Sequence, residues 1–184
     1  MRLHRSLIAA ALVCAAVLVA GCSSDAAPVT STNSAGSAGE PQGTVTYNNL
    51  SRNHVSTPVN YAQTPPVGGD HSPIWQQCQF YSTPIVKEQG VHSMEHGAVW
   101  ITYQPTLPAD QITVLKALSA PGADVLVTPW PGLPTPVVAS AWGKQLQLQS
   151  AADPRLAQFV SYFANGPQTP EVGASCEGGT TATP

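Results

Sequence analysis

Charged side chains are scarce in this sequence, and basic ones most of all. Only 9% of the 184 residues are charged, with 7 Lys and Arg against 10 Asp and Glu. Proteins that bind nucleic acid neutralise its phosphates with clustered Lys and Arg. The composition therefore argues against nucleic acid as a partner. It also predicts a fold stabilised by its core and by covalent closure, because few ion pairs can form.

No apolar run is long enough to span a bilayer comfortably, which takes about 20 residues. The longest run, residues 7–20, follows Arg2 and Arg5 and leads into Leu-Val-Ala-Gly-Cys at residues 18–22. A basic start, a short apolar stretch and small residues before a cysteine are typical of a cleaved lipoprotein signal peptide. An uncleaved anchor helix with an incidental cysteine is the alternative.

We therefore expect residues 1–22 to be a signal peptide and Cys22 to carry acyl chains such as palmitate. Several acyl chains anchor a protein stably, where a single chain does not. The predicted location is the extracytoplasmic face of the cell membrane, with the membrane itself as partner through the lipid. Protein partners are not indicated by any motif.

Cysteine is also rare, with only 4 in the chain, and Cys14 and Cys22 belong to the predicted signal peptide. No C-x-x-C pair occurs, which argues against a thioredoxin-like redox site and against a c-type haem. In an oxidising compartment the other two, Cys78 and Cys176, are expected to form a disulfide. The alternative is that one of them binds a metal ion as a thiolate.

Large apolar residues are nearly absent from residues 23–43 and from the tail at 178–184. Such segments cannot bury enough surface to offset their chain entropy. We expect a flexible tether at 23–43, a single globular domain at 44–177 and a disordered tail at 178–184. Pro, Gly, Ser and Asn predominate at 51–90, which predicts a long ordered loop region in the domain.

Periodic segments appear mainly in the second half of the domain. β-branched and aromatic residues predict strands, whereas proline at a first helical position and apolar residues at helical spacing predict helices. The predicted strands are residues 44–47, 98–103, 125–128 and 137–148, and the predicted helices begin at Pro108 and Pro154. The fold class we expect is α+β in two layers (α/β). A small mixed sheet would carry two main helices on one face, preceded by the long loop region.

Histidines are confined to the part of the chain before Gly97. His4 belongs to the signal peptide, and the others are His54, His71, His92 and His96. Residues four apart on a helical turn share one face, so His92 and His96 are expected to lie together. Neutral imidazoles are good ligands for zinc and copper.

These residues predict a transition-metal site made by His92 and His96, with His71 as the third ligand. Glu95 would be a further ligand. Asp70 would not bind the metal itself but would orient a ligating imidazole by a hydrogen bond. Copper is favoured over zinc if the Met94 sulfur points towards the imidazoles. The predicted role is binding or handling of metal outside the cell, without catalysis.

Two alternatives remain open. The imidazoles could simply hydrogen-bond backbone groups in an envelope interaction or scaffold module that binds no metal. Residues 92–96 also spell H-x-x-E-H, the inverted zinc-peptidase motif, in which Glu95 would activate water. That motif normally lies in a long helix, whereas here Gly97 ends the segment and a strand follows. A zinc metallohydrolase is therefore the second alternative.

Several short motifs carry a likeness to a known family. They are Pro-Pro-Val-Gly-Gly-Asp-His at 65–71, His-Ser-Met-Glu-His-Gly-Ala-Val-Trp at 92–100, Pro-Gly-Leu-Pro at 131–134 and Ala-Ser-Ala-Trp-Gly at 139–143. With these motifs the chain resembles the domain-of-unknown-function family 3105. The resemblance implies an exported or membrane-anchored bacterial protein. It implies no activity, so no catalytic residue is transferred.

Overall fold

The computed structural model describes residues 39–184. The predicted signal peptide, its Cys22 and most of the predicted tether lie outside the described residues. Within the described range, no helix combines the length and the apolar character that crossing a bilayer requires.

A five-stranded mixed sheet organises the described chain. Its strands are β1 (Val45–Thr46), β2 (Val99–Tyr103), β3 (Val125–Pro129), β4 (Val137–Ala141) and β5 (Lys144–Leu148), in the spatial order β1-β5-β4-β2-β3. Strands β2 and β3 are parallel, and every other neighbouring pair is antiparallel. The predicted small mixed sheet of an α+β fold is confirmed.

The single strand predicted at 137–148 is wrong, because the chain reverses in the middle of that segment. Trp142 and Gly143 form the turn between β4 and β5, and Gly143 has a φ of 68°. A Cβ at this glycine would lie 2.8 Å from the backbone oxygen of Tyr47. The alternating pattern continues through the turn, so it does not reveal where one strand ends and the next begins.

Two helices cover one face of the sheet, as predicted. They are α2 (Ala109–Leu118), which connects the parallel strands β2 and β3, and α3 (Pro154–Phe163). Their apolar side chains, Leu115 and Phe159 among them, pack in one buried cluster with Val99 and Ile101 of β2. Alternate β2 residues point to opposite faces of the sheet, so Trp100 belongs to the other side.

A third helix, α1 (Lys87–Glu95), lies on that opposite face. Its residues Val91 and Met94 are buried in a second cluster that contains Trp100 and Leu126 of the sheet. The loop region predicted to run to residue 90 therefore ends at residue 86. Because both faces are covered, every residue of β2, β3 and β4 is buried.

The long loop region is fastened to the C-terminal segment. Cys78 and Cys176 form a disulfide with a Cα–Cα distance of 5.5 Å. Beyond it, the Thr180 amide donates to the oxygen of Trp75, and the Gln77 amide donates to the oxygen of Thr180. The segment 178–184 was predicted to be a disordered tail because it has no large apolar side chains. In the structure, backbone hydrogen bonds at Thr180 pair this segment with the loop region.

Candidate metal centre

Four side chains with metal-binding atoms converge where the loop region meets helix α1. They are His54, His71, His92 and Glu95, and one ligand atom from each lies within 4.8 Å of all the others. His71, His92 and Glu95 are buried, whereas the side chain of His54 is 47% exposed. The cluster therefore reaches from the interior of the domain to its surface.

Helix α1 and the loop region each supply half of this cluster. His92 and Glu95 lie three residues apart on α1, which places them on neighbouring positions of one helix face. His54 and His71 face each other across a short parallel β-bridge. In that bridge the Val55 amide donates to the His71 oxygen at 2.7 Å, so two distant parts of the sequence are held side by side.

The ring orientations follow from one repeated contact. In three of the imidazoles the Nδ1 atom lies within hydrogen-bond distance of a backbone oxygen. The pairs are His71 with Gly69 at 2.7 Å, His92 with Ser72 at 2.6 Å and His96 with Ser175 at 2.9 Å. A carbonyl oxygen only accepts hydrogen bonds, so each Nδ1 carries the proton, and in the neutral ring Nε2 keeps its lone pair. This is how metal-binding imidazoles are commonly fixed.

The Nε2 atoms face other acceptors. His71 Nε2 lies 2.8 Å from a carboxylate oxygen of Glu95, and His92 Nε2 lies 2.9 Å from His96 Nε2. Two lone pairs repel each other at such distances unless a positive charge joins them. Each contact therefore requires either a proton between its two atoms, on a ring or on the Glu95 carboxyl, or a metal ion.

Burial opposes the additional proton at His92. It lowers the pKa of this imidazole, and nearby positive charge on His96, His71 and His54 would lower it further. The hydrogen bond to the Ser72 oxygen acts in the opposite direction and only partly compensates. His92 is therefore held in its neutral form, which is the form that ligates a metal.

Aromatic rings close the sides of the cluster. The ring of Trp75 lies 4.9 Å from that of His96 and 5.7 Å from that of His92, between centroids. Trp142 contacts His71 edge-on at 5.8 Å. These rings limit access of water to the buried imidazoles and lower the local dielectric constant, which strengthens electrostatic interactions inside.

The predicted ligands fall into two groups. His71, His92 and Glu95 come together in the cluster, whereas His96 is not one of the four and contacts the cluster through His92. His54 was missed by sequence reasoning, because its pairing with His71 is a tertiary contact with no local signal. Whether these side chains bind a metal stays a prediction.

Two further predicted roles look different in the structure. The Asp70 carboxylate accepts a hydrogen bond from the Asn53 side chain at 2.8 Å, and hydrogen bonds from Ser51 and Asn53 lower its pKa. Asp70 thus braces the segment that carries His54 and contacts no imidazole nitrogen directly. Met94 packs in the apolar cluster with Trp100, so the condition that would favour copper through its sulfur is not met.

Fold and cluster together define a small α+β domain with a histidine–glutamate centre beside a short helix. The family model described as Protein of unknown function (DUF3105) matches residues 54–178, which is more than half of the chain. The chain belongs to this family, and the matched range includes all four residues of the cluster. No curated protein and no solved structure matches the chain.

Proposed function

We propose that this domain binds one divalent transition-metal ion, zinc or copper, through His54, His71, His92 and Glu95. The observation that carries the proposal is the convergence of four ligand atoms, two of them on buried imidazoles whose Nδ1 atoms are held by backbone oxygens. A purely structural imidazole needs one good partner. Here His71 and His92 each have a backbone partner and still direct a second nitrogen at another acceptor.

The chemistry of the donor set narrows the class of ion. Three imidazole nitrogens and one carboxylate oxygen suit zinc and copper(II), whereas calcium and magnesium prefer oxygen ligands alone. With bonds of about 2.0–2.1 Å, neighbouring ligand atoms lie about 2.9–3.4 Å apart, depending on the geometry. The cluster spans up to 4.8 Å, so binding requires some of its ligands to close in. His54, exposed and carried on a loop, has the most freedom to move.

Two observations support a location outside the cytoplasm. A disulfide such as Cys78–Cys176 persists in oxidising compartments and is rare in the cytosol. The N-terminal sequence ending at Cys22 has the features of a lipoprotein signal peptide. The proposed role is capture or handling of metal by a domain that is anchored to the outer face of the cell membrane by lipid.

The test is metal binding by the protein without a histidine tag, measured by elemental analysis and by titration with zinc and with copper(II). The expected result is one ion per chain. His71→Ala and His92→Ala should each lower the affinity by about 100-fold or more, since even outer-sphere partners contribute about 10–100-fold.

Helix α1 offers a matched control for the carboxylate ligand. Glu88 is a second buried glutamate on this helix, and its carboxylate accepts from the Val59 amide. Glu95→Gln should weaken metal binding, whereas Glu88→Gln should leave it unchanged. If the wild type binds neither metal at micromolar concentration, or the double variant of His71 and His92 binds as well as wild type, the domain is an interaction module with structural histidines. Zinc-dependent hydrolysis abolished by Glu95→Gln would instead support the metallohydrolase.

A further inference from the structure

A second pair of metal-binding atoms adjoins the centre on its other side. His96 Nε2 lies 3.4 Å from a carboxylate oxygen of Glu171, whose side chain is 49% exposed. The same nitrogen lies 2.9 Å from His92 Nε2. His96 therefore contacts both His92 and Glu171, and Glu171 faces solvent, so these three side chains are a second group of candidate ligands on the outer side of the cluster.

This second group is built into the fold. The Glu171 backbone amide donates to the backbone oxygen of Glu95, near the end of helix α1, at 3.2 Å. The Ser175 oxygen accepts from His96 Nδ1, and the adjacent Cys176 is bonded to Cys78. Two contacts thus fasten the segment 171–176 to the end of α1, the disulfide fastens it to the loop region, and the segment orients both His96 and Glu171.

His92 is common to both groups, and it can serve only one of them at a time. Its Nδ1 is held by the Ser72 oxygen at 2.6 Å, which leaves the single lone pair on Nε2 for a metal. A metal ion bound by His92 must therefore lie either with His71 and Glu95 or with His96 and Glu171. The two positions overlap at this ligand and exclude each other.

We infer that His92, His96 and Glu171 form an outer metal position through which a divalent transition-metal ion exchanges with the inner one. The inference rests on the proposed function. An incoming aquo-ion would first exchange three of its water ligands for Glu171, His96 and His92. It would then keep its bond to His92 while bonds to His71 and Glu95 replace those to the outer pair. No electron is transferred, and a proton held between two of these ligand atoms in the metal-free domain leaves to solvent as the metal ion takes its place.

The charge and number of ligands explain why the outer position should be the labile one. It offers two imidazoles and the half-exposed carboxylate of Glu171. Water molecules would complete the coordination of an ion bound there, and they would exchange rapidly with solvent. The inner position offers three imidazoles and a buried carboxylate. Affinity should therefore reside mainly in the inner group, and the rates of uptake and release should depend on the outer group.

The experiment compares kinetics with equilibrium affinity for zinc in the protein as the cell produces it, without an affinity tag. Zinc uptake is followed by stopped flow, and release is followed by transfer to an excess of a chromophoric chelator. Glu171→Gln and His96→Ala should slow both processes about tenfold, while the equilibrium dissociation constant changes less than about threefold. Glu177→Gln is the control, because this exposed glutamate lies in the same C-terminal region, six residues further on.

Exchange through His54, the other exposed end of the centre, is the competing route. If uptake and release are unchanged in Glu171→Gln and His96→Ala but slow in His54→Ala, the inference is overturned. It is also overturned if His96→Ala abolishes binding as completely as His71→Ala does, since His96 would then be an inner ligand. A wild type that binds no zinc would overturn the proposed function itself. Because Glu171 is on the surface, its variant should fold even if His96→Ala does not.

Discussion

At the scale of single residues, the approach of helix α1 to the sheet depends on Gly90. A Cβ at this position would lie 2.7 Å from the ring of Trp100. That ring is fully buried, and its Nε1 donates to Thr128 Oγ1, so it has little room to move. Helix α1 carries His92 and Glu95, so the position of this helix also determines the geometry of the candidate metal centre.

We expect Gly90→Ala to destabilise the domain by about 1–2 kcal/mol. Alanine would favour the helix by about 1 kcal/mol, but overpacking a core costs about 1–3 kcal/mol and here meets an immobile ring. Urea unfolding measures the difference. Gly39→Ala is the control, because nothing lies within 4 Å of a Cβ there, and its effect should stay within about 0.5 kcal/mol. Equal stability of the two variants would show that α1 can shift away from the sheet.

The lowered pKa of His92 makes the stability of the metal-free domain depend on pH. The unfolded imidazole takes up a proton near pH 6.5, whereas the buried imidazole does so only at lower pH. Between these two values the unfolded chain binds more protons than the folded one, so stability falls with decreasing pH. The stability that the neutral His92 contributes is fully present above pH 6.5 and is lost progressively as the pH falls below that value.

Chelator-treated protein should therefore unfold at lower urea concentration at about pH 5 than at about pH 7.5. His92→Gln should reduce this difference, because glutamine does not titrate. His54, on the exposed side of the cluster, offers a control, since His54→Gln should preserve most of the dependence. An unchanged pH dependence in His92→Gln would show that burial does not shift the pKa of this imidazole.

Much of the candidate site could be predicted because its residues are close in sequence or chemically conspicuous. The spacing of His92, Glu95 and His96 on a helical turn is a local property. The approach of His71 was inferred from its chemistry alone. His54 and Glu171 could not be found this way, because a β-bridge and a docked C-terminal segment bring them in. The orientation of the imidazole rings could not be predicted either, because it depends on hydrogen bonds to backbone oxygens that the fold brings near.

At the scale of structural elements, the Cys78–Cys176 disulfide should contribute strongly to stability. The two cysteines are 98 residues apart in sequence, and closing a loop of about 100 residues is worth about 4–5 kcal/mol in the entropy model. The bond also fastens the segment that presents Ser175 and Glu171 to His96. Reduction should therefore lower the stability of the fold and loosen the proposed outer metal position.

Urea unfolding with and without a reducing agent tests this expectation. The wild type should lose about 4–5 kcal/mol on reduction if the full entropic value is realised. A double variant, Cys78→Ala with Cys176→Ala, should be as unstable as the reduced wild type and should not respond to the reductant. A wild type that is equally stable in both conditions would show that noncovalent contacts alone hold the C-terminal segment in place.

Helices and strands with a strongly periodic pattern of apolar residues could be predicted, whereas elements stabilised mainly by tertiary contacts could not. Helix α3 has an N-cap at Asp153, proline at its first position and apolar residues at helical spacing, and it is found at Pro154–Phe163. Helix α1 begins Lys-Glu-Gln-Gly, with no apolar stripe and a glycine inside. Packing on Trp100 stabilises it, and this packing partner lies outside its own sequence.

At the scale of the whole molecule, stability comes from cores on both faces of the sheet, as the scarcity of charge predicts. The ion pairs that do form, such as Lys144 with Glu40 and Arg155 with Asp153, lie near the surface. Such pairs contribute little, about 0–1 kcal/mol each at most. Of the buried histidines and carboxylates in the described range, His71, His92, His96 and Glu95 meet at one site, and Glu88 lies elsewhere on helix α1.

The whole-molecule prediction concerns the anchor, whose residues lie outside the described range. Cells grown with an alkyne-labelled fatty acid should incorporate the label into the wild-type protein but not into Cys22→Ser, because only a thiol at the cleavage site receives acyl chains. Cys14→Ser is the matched control. This second cysteine belongs to the predicted signal peptide, so its loss should leave labelling intact. Label that survives in Cys22→Ser, or disappears in Cys14→Ser, would contradict the assignment. If the label follows Cys22, the proposed metal centre would be held at the membrane surface, where exposed Glu171 and His54 could meet ions arriving from outside the cell.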